Sequence, residues 1–235
     1  MNHPTQLRII KTLKSTRSAR FNELKPEDMT SDHFNFHIKR LLDANFIIKN
    51  DDGSYGLTDK GKVLASRIDD LSVRVTSIEA QPKNSILFVI TKDFSGIKKY
   101  VVKWRTQHPF IDHLVFPTRG LKSGVLAYDI IESYLPFTTG LSGKPTFIGQ
   151  IRRIDKDPSD GQIYNDILFM IAHINEPNGE LINDQHGAKQ FWATEEEILA
   201  SKPLTGLPPH ILTMLNNPTG PRLIELVFDI TAENF

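Results

Sequence analysis

Residues 116–141, FPTRGLKSGVLAYDIIESYLPFTTGL, decide how the larger part of the chain is interpreted. The stretch opens with a loop rich in proline and glycine that runs to Gly124. Apolar residues at helical spacing predict a helix from Val125 to about Leu135, and Gly140 is well placed to end it. A loop, a helix and a second loop in this order are common in α/β domains.

The same stretch resembles the Nudix box with its charged residues replaced. The family pattern is G-x5-E-x7-R-E-U-x-E-E-x-G-U, where U is a bulky aliphatic residue and the glutamates gather a divalent metal that activates water against a pyrophosphate. Aligned from Arg119 to Leu141, the chain keeps Leu135, Gly140 and Leu141. The positions of the first glycine and of the charged residues are held by Arg119, Val125, Ser133, Tyr134, Phe137 and Thr138. The resemblance implies the Nudix scaffold without its metal site and without its catalytic residues.

The composition sets limits on the class of protein. The 235 residues suffice for one large domain or two small ones, and none of them is cysteine, which excludes disulfides, thiolate metal sites and cysteine catalysis. No apolar run approaches the roughly 20 residues that a membrane helix needs. No glycine-rich phosphate loop is present, so we expect no cofactor. A cytoplasmic protein is the simplest expectation.

The first 70 residues predict a small helical unit with one hairpin. The predicted elements are a helix through Leu7 and Leu13, a short helix at 21–24, a helix capped by Thr30 or Ser31, a hairpin turning at 50–53, and a helix that begins near 58–62. The inner face of the third helix consists of Phe34, Ile38, Leu41 and Leu42. The last helix is predicted to continue to Leu71.

Residues 36–62, FHIKRLLDANFIIKNDDGSYGLTDKGK, resemble the winged helix-turn-helix of ArsR/MarR-like regulators. Those regulators carry an H-L-K-x-L run, a wing, and a Y-x-L-T-x-x-G motif. This chain has His37-Ile38-Lys39 with Leu41, then Tyr55-Gly56-Leu57-Thr58 with Gly61. The resemblance covers about residues 3–70 and implies binding to double-stranded DNA, by a homodimer in the usual arrangement.

The outer face of the third helix would then enter the major groove. The candidate DNA-binding residues are Thr30, Ser31, His33, Asn35, Phe36, Lys39 and Arg40. Residues 1–75 hold 13 Lys and Arg against 10 Asp and Glu, a weak positive excess. The slight excess and the acidic wing residues Asp51 and Asp52 favour the alternative that this unit binds another protein.

The pattern changes after residue 84. Strands are predicted at 85–91, 99–105, 145–154 and 163–174, a strand followed by an acidic helix at 190–198, a helix at 207–215 and a strand at 222–230. This order resembles the Nudix fold over about residues 84–202. The expected fold class is therefore α+β in two domains: a winged helix-turn-helix (1–75), a linker (76–84), and a Nudix-like α/β/α sandwich with a mixed sheet (85–235).

Four basic residues surround the expected Nudix pocket: Lys103, Arg105, Arg119 and Lys122. Such cations can hold a phosphorylated or nucleotide-type metabolite without metal. Asp129 and Glu132 lie one helical turn apart and could share a cation, as could His108, Asp112 and His113. The leading hypothesis is a DNA-binding regulator whose Nudix-like domain senses such a metabolite or supplies dimer contacts. The alternatives are a Nudix-type hydrolase with relocated acids and a non-catalytic interaction module.

Overall fold

The computed structural model describes residues 3–66, 68, 82–185, 188–231 and 235. Most of the predicted linker lies outside these ranges, as does Leu71 at the end of the last helix predicted for the N-terminal unit. No helix in the described ranges is long and apolar enough to cross a membrane.

The N-terminal unit has the predicted element order. Its elements are α1 (Pro4–Lys14), α2 (Phe21–Leu24), α3 (Ser31–Asp43), β1 (Ile47–Lys49), β2 (Tyr55–Leu57) and α4 (Asp59–Ser66). Leu13, Phe34 and Ile38 are buried in its core. The Thr30 hydroxyl caps α3 by accepting a hydrogen bond from the His33 backbone nitrogen at 3.4 Å. His37, which the apolar pattern leaves off the inner face, is buried as well.

Gly61 is required by a close approach between α4 and the segment before β1. A Cβ atom at this position would lie 1.9 Å from the Phe46 carbonyl oxygen. The Thr58 hydroxyl fixes the same turn, because it accepts from the Gly61 nitrogen at 3.0 Å and donates to the Asn45 carbonyl at 2.7 Å. The spacing of Leu57, Thr58 and Gly61 therefore has a packing cause within this unit.

We expect Gly61→Ala to destabilise the N-terminal unit by about 1–3 kcal/mol or more, because backbone would have to move to admit the methyl group. Urea denaturation followed by circular dichroism measures the loss. Asp51→Ala, at an exposed turn position, is the matched control and should change the free energy of unfolding by less than about 0.5 kcal/mol. Equal stability of Gly61→Ala and wild type would contradict the close approach.

The rest of the chain is built on one mixed sheet. Its strands are β3 (Lys83–Phe94), β4 (Ile97–Trp104), β5 (Leu114–Val115), β6 (Thr118–Gly120), β8 (Thr146–Lys156), β9 (Ile163–Asn175), β11 (Asp184–Gln185), β12 (Ala188–Ala193) and β13 (Leu223–Asp229). The main path runs β11-β12-β4-β3-β9-β8-β13, with β5 paired to β4 and β6 to β3. The pairs β3–β9 and β8–β13 are parallel and the others are antiparallel. A separate antiparallel pair joins β7 (Leu141–Ser142) to β10 (Asn178–Gly179).

Helices cover both faces of the sheet and give three layers. The helix α5 (Ala127–Thr139) buries Ile130, Ile131 and Leu135 against one face. The opposite face is covered by α6 (Glu195–Ala200) and α7 (Leu207–Asn216). An acidic N-terminal turn and a Thr194–Glu197 capping box start α6, so its three glutamates have a structural role.

Several boundaries differ from the predicted ones. The strand β3 begins at Lys83, within the predicted linker, because residues 83–85 pair with Ile167–Phe169 of β9. The helix α5 begins at Ala127 instead of Val125, since Leu126 is extended, and it continues to Thr139, where Gly140 adopts φ 72°. The strand β8 continues through Lys156, although the sequence pattern predicts a loop from Asp155.

The N-terminal unit contacts the sheet through a small apolar cluster and a few hydrogen bonds. Val63 of α4 packs with Phe110, Tyr164 and Phe235. The Ser66 hydroxyl is 3.3 Å from the Tyr164 carbonyl oxygen. The His108 backbone nitrogen donates to the Lys14 carbonyl at 3.0 Å, and Arg17 forms an ion pair with Asp112. These contacts form the seam between the unit and the sheet.

Candidate functional site

The sheet opens between β3 and β4, and this opening creates the main cavity. The two strands pair only from Thr91 with Tyr100 to Phe94 with Ile97. Beyond that point β5 pairs with the end of β4 and β6 pairs with the start of β3. A cavity of about 830 Å³ lies at this opening and reaches the seam with the N-terminal unit.

The described residues that line this cavity carry positive charge and no carboxylate. Seven of them are basic, namely Lys14, Lys83, Lys103, Arg105, Arg119, Lys122 and Arg153, and none is aspartate or glutamate. Such a lining attracts anions, because the charges add within one concave space that water only partly fills. We call this space the cationic pocket.

Of the four basic residues singled out from the sequence, Lys103 lies on β4 and Arg105 directly follows this strand. Lys103 and Arg105 lie two residues apart, so they leave the strand on the same side. Arg105 is oriented by the following loop, since its Nε donates to the Gln107 carbonyl at 2.9 Å and to the Pro109 carbonyl. Burial, with a smaller contribution from the charge of Arg105, lowers the pKa of Lys103 to about 8.

The other two come from the loop that precedes α5. Arg119 is half-buried on β6, with its guanidinium 5.1 Å from the Tyr134 ring centroid. The Tyr134 hydroxyl donates to the Thr118 carbonyl at 3.2 Å, which fixes the ring under Arg119. Lys122 is exposed at the pocket entrance. The structure therefore brings all four predicted residues to one pocket.

Three further cations of the pocket were not found from the sequence. Lys83 starts β3, Lys14 comes from α1 of the N-terminal unit, and Arg153 comes from β8. Arg153 has a structural role. Its Nε donates to the Asp155 carboxylate at 2.7 Å, and its guanidinium lies 4.4 Å from the Phe110 ring centroid. Residues so distant in sequence share no local pattern, so no sequence signal could have grouped them.

The carboxylates proposed as relocated metal ligands lie elsewhere. Asp129 and Glu132 are exposed on α5, and neither lines the cationic pocket. The His108, Asp112 and His113 cluster is used by the seam and its loop: Asp112 pairs with Arg17, and His113 Nδ1 is 3.0 Å from the Ile111 carbonyl oxygen. Across the part of the chain that the structure describes, no three His, Asp or Glu side chains could jointly hold a metal ion.

The candidate DNA-binding residues share one exposed face at α3. Thr30, Ser31, His33, Asn35, Phe36, Lys39 and Arg40 are all exposed. Arg40 lies 5.3 Å from the Phe36 ring centroid, and 52% of Phe36 is exposed although it is apolar. At the turn of the β1–β2 hairpin, hydrogen bonds from the Ser54 hydroxyl and nitrogen lower the pKa of Asp52, so this turn stays negative.

No family model matches the chain, and no curated protein sequence matches it. Among solved structures it is similar to a MutT protein from Bacillus halodurans, at 16% identity and a TM-score of 0.49, over 65% of this chain and 93% of that one. It is also similar to the NUDIX domain of Shewanella oneidensis NrtR, solved with ADP ribose, at 10% identity and a TM-score of 0.48, over 58% and 88% of the two chains. A third similar structure is a MutT NUDIX hydrolase from Burkholderia pseudomallei, at 13% identity and a TM-score of 0.46, over 58% of this chain and 99% of that one.

These structural neighbours are Nudix proteins. Every identity is below 25% and every TM-score is below 0.5, so the likeness decides neither substrate nor activity. The features of this chain that bear on its function are the cationic pocket and the exposed α3 face.

Proposed function

We propose that this protein is a DNA-binding regulator whose Nudix-like unit binds a phosphorylated, nucleotide-type metabolite without hydrolysing it. The observation that carries the proposal is the cationic pocket, whose described lining has seven basic residues and no carboxylate. Arg153 is paired with Asp155 behind the lining, so the other six basic residues account for the attraction of an anion. Phosphate groups carry nearly two negative charges at neutral pH and accept several charge-assisted hydrogen bonds. A pocket with this lining is complementary to them.

The same lining argues against metal-dependent hydrolysis. A Nudix-type reaction brings a divalent cation and a diphosphate together, and the cation needs carboxylate oxygens close to the ligand. The box positions that would supply them hold Val125, Tyr134, Phe137 and Thr138. Val125 and Phe137 are also exposed, at 42% and 72%.

The proposed DNA contact is the exposed face of α3. Lys39 and Arg40 would meet phosphates or guanine, Asn35 can pair with adenine, and the methyl group of thymine is a fit for Phe36. A winged helix-turn-helix interpretation of the N-terminal unit agrees with the order α1–α2–α3–β1–β2–α4. A homodimer would place two such faces on neighbouring half-sites.

The position of the pocket explains how ligand binding would affect DNA binding. Lys14, Ser66 and Ile68 belong to the N-terminal unit and line the pocket beside residues of the sheet. A ligand that contacts both sides of the seam favours one placement of the unit over others. The ligand would thereby change the spacing of two α3 faces in a dimer, and with it the affinity for DNA.

Binding to random genomic DNA fragments is expected to weaken with salt and to depend on the α3 face. Lys39→Ala/Arg40→Ala should lower the affinity at least about tenfold and reduce the slope of log affinity against log salt by about 0.9 for each lost phosphate contact. Lys98→Ala/Lys99→Ala removes the same charge from β4 and should leave both quantities unchanged. Absence of binding at low salt would refute the DNA assignment, and equal loss in both double variants would show that α3 is not the surface used.

The affinity for a phosphate ester that lacks a carbonyl group is expected to fall as the pH rises above about 8. Burial lowers the pKa of Lys103 to about 8. Above this pH the amine is mostly neutral, and it must be protonated before it can form an ion pair with the bound phosphate. The expected decline approaches tenfold per pH unit, because the second pKa of the ester is about 6 and does not interfere. Calorimetry from pH 7 to 9.5 measures it. Lys103→Arg keeps its charge throughout and should show a flat profile; a parallel decline in this variant would exclude Lys103 as the cause.

Two exposed acidic residues on α5 favour the hydrolase alternative. Asp129 and Glu132 are exposed one turn apart on α5, where a cation can reach them. Release of products from nucleoside diphosphate compounds that requires Mg²⁺ or Mn²⁺, and that Asp129→Asn abolishes, would replace the regulator proposal with an enzyme.

A further inference from the structure

Three histidine rings meet where the N-terminus of α1 contacts α3. The ring centroid of His37 is 4.1 Å from that of His3 and 5.0 Å from that of His33, and the His3 and His33 centroids are 6.5 Å apart. His3 precedes α1 as its N-cap residue, whereas His33 and His37 belong to α3. His3 and His33 are exposed, and His37 is buried. We call these three residues the histidine cluster, and it joins the two helices through side-chain contacts.

The buried ring of His37 is suited to the neutral form. Neither of its nitrogens has a hydrogen-bond partner among the described residues, so a second proton would place an unpaired charge in the core of the unit. Burial, followed by the charges of His3 and His33, lowers the pKa of His37. Its next neighbour is the Phe36 ring, at 5.5 Å between centroids, and the cation beyond that ring is Arg40.

The charged residues on the neighbouring helices and strand do not neutralise the cluster. Those that are basic are Arg8, Lys11 and Lys14 of α1, Lys39 and Arg40 of α3, Lys49 of β1, and Lys60 and Lys62 of α4. Those that are acidic are Glu23 of α2, Asp32 and Asp43 of α3, and Asp59 of α4. Within the part of the chain that the structure describes, no carboxylate forms an ion pair with a histidine of the cluster. Charge on the cluster is therefore opposed only by solvent.

The cap of α1 also requires a neutral ring. His3 Nδ1 accepts a hydrogen bond from the Thr5 backbone nitrogen at 3.3 Å, so the single ring proton of neutral His3 is on Nε2. A second proton would bind at Nδ1, and the cap would be lost. Positive charge on His3 and on His33, in the first turn of α3, is also unfavourable next to the positive ends of the two helix dipoles.

We propose that the histidine cluster is an acid-sensitive contact, which holds the N-terminus of α1 against α3 while its rings are neutral and releases it in mildly acidic conditions. The inference goes beyond the proposed function, because it concerns the N-terminal unit whatever its partner is. Folding lowers the pKa of His37. The stability that its neutral ring contributes is therefore complete above the ordinary histidine value of about 6.5 and declines as the pH falls below it. Acid would thereby disturb both the α3 face and the α1 side of the cationic pocket.

Hydrogen exchange of the full-length protein, read by peptide mass spectrometry, measures this release. After correction for the intrinsic exchange rate, peptides that cover Pro4–Lys14 should lose about tenfold or more of their protection between pH 7.5 and pH 5.5. The reason is that each unit by which folding lowers a pKa changes the equilibrium between closed and open forms up to about tenfold. Peptides from α5 are the internal reference and should change far less.

The decisive variant is His3→Asn/His33→Gln. It removes two titratable rings at exposed positions, and asparagine keeps an acceptor for the Thr5 nitrogen. This variant should have the circular dichroism spectrum of the wild type at pH 7.5 and should keep the protection of α1 at pH 5.5. His210→Gln removes a histidine from α7 instead and should lose that protection as the wild type does.

A second measurement separates the cluster from general acid destabilisation. Burial also lowers the pKa of His108 and of His173, both outside the N-terminal unit, so total stability declines in acid for several reasons. Nitrogen NMR of the histidine rings should show the His3 proton on Nε2 at pH 7.5, and a His37 ring that stays neutral until α1 opens.

Three results would overturn the inference. They are full protection of α1 in the wild type at pH 5.5, an equal loss of protection in the wild type and in His3→Asn/His33→Gln, and a His3 proton on Nδ1 at pH 7.5. Each of them leaves the proposals on DNA and on phosphorylated ligands unaffected, because none of these measurements uses either partner.

Discussion

Replacing Arg119 and Lys122 together with alanine is expected to weaken the binding of a phosphorylated ligand about a hundredfold or more. Each cation contributes a charge-assisted hydrogen bond that is worth about 1.5–3 kcal/mol, and tenfold in affinity corresponds to about 1.4 kcal/mol. Arg119 is the better placed of the two, because Tyr134 supports its guanidinium from below. Calorimetry with a panel of nucleoside diphosphate compounds measures the loss.

The control for this variant removes the same charge elsewhere. Lys98→Ala/Lys99→Ala lies near the β3–β4 turn, outside the pocket lining, and should bind the ligand as wild type does. Similar weakening in both variants would mean that the overall charge of the protein attracts the ligand and that the cationic pocket is not its site.

Asp155→Ala is expected to cost about 3–5 kcal/mol of stability, because it leaves the buried Arg153 without its counter-charge. The side chains of both residues are almost fully buried, at 3% and 0% exposure, and lie 2.7 Å apart. Asn165 donates a further hydrogen bond to Asp155 at 3.0 Å. Burial raises the pKa of the Asp155 carboxyl, and the charge of Arg153 opposes that rise. Denaturant unfolding measures the difference.

The double variant Arg153→Met/Asp155→Leu tests the cause of this loss. Since both charges are then removed, it should recover most of the stability that Asp155→Ala loses. A small effect of Asp155→Ala alone would show that water reaches the pair and that this wall of the pocket is not tightly packed.

The sequence alone predicts most of the helices and strands and four of the seven basic residues that line the cationic pocket. Apolar periodicity located α1, α3 and the long strands, and Gly140 marks the end of α5 as predicted. The resemblance to the Nudix box and to the strands that precede it predicts that Lys103, Arg105, Arg119 and Lys122 surround one pocket. The structure adds the reason why they meet, which is the separation of β3 from β4.

The remaining differences have tertiary causes. Asp155 looks like the start of a loop because it is charged, yet Arg153 and Asn165 satisfy it inside the sheet. Lys83 lies in a polar connection by sequence and becomes strand because β9 offers a parallel partner. Lys14 enters the pocket only because the N-terminal unit packs against the sheet, which no local pattern encodes.

The most direct test of the central claim is a phosphorus NMR titration of the full-length protein with nucleoside diphosphate compounds and sugar phosphates, with and without Mg²⁺. We predict that at least one compound shows broadened or shifted resonances on binding, that Arg119→Ala/Lys122→Ala removes the effect, and that the compound stays intact for hours in both conditions. Product resonances that grow only with Mg²⁺ would show that the protein is a hydrolase. Unchanged resonances for every compound would show that the cationic pocket does not bind phosphorylated ligands.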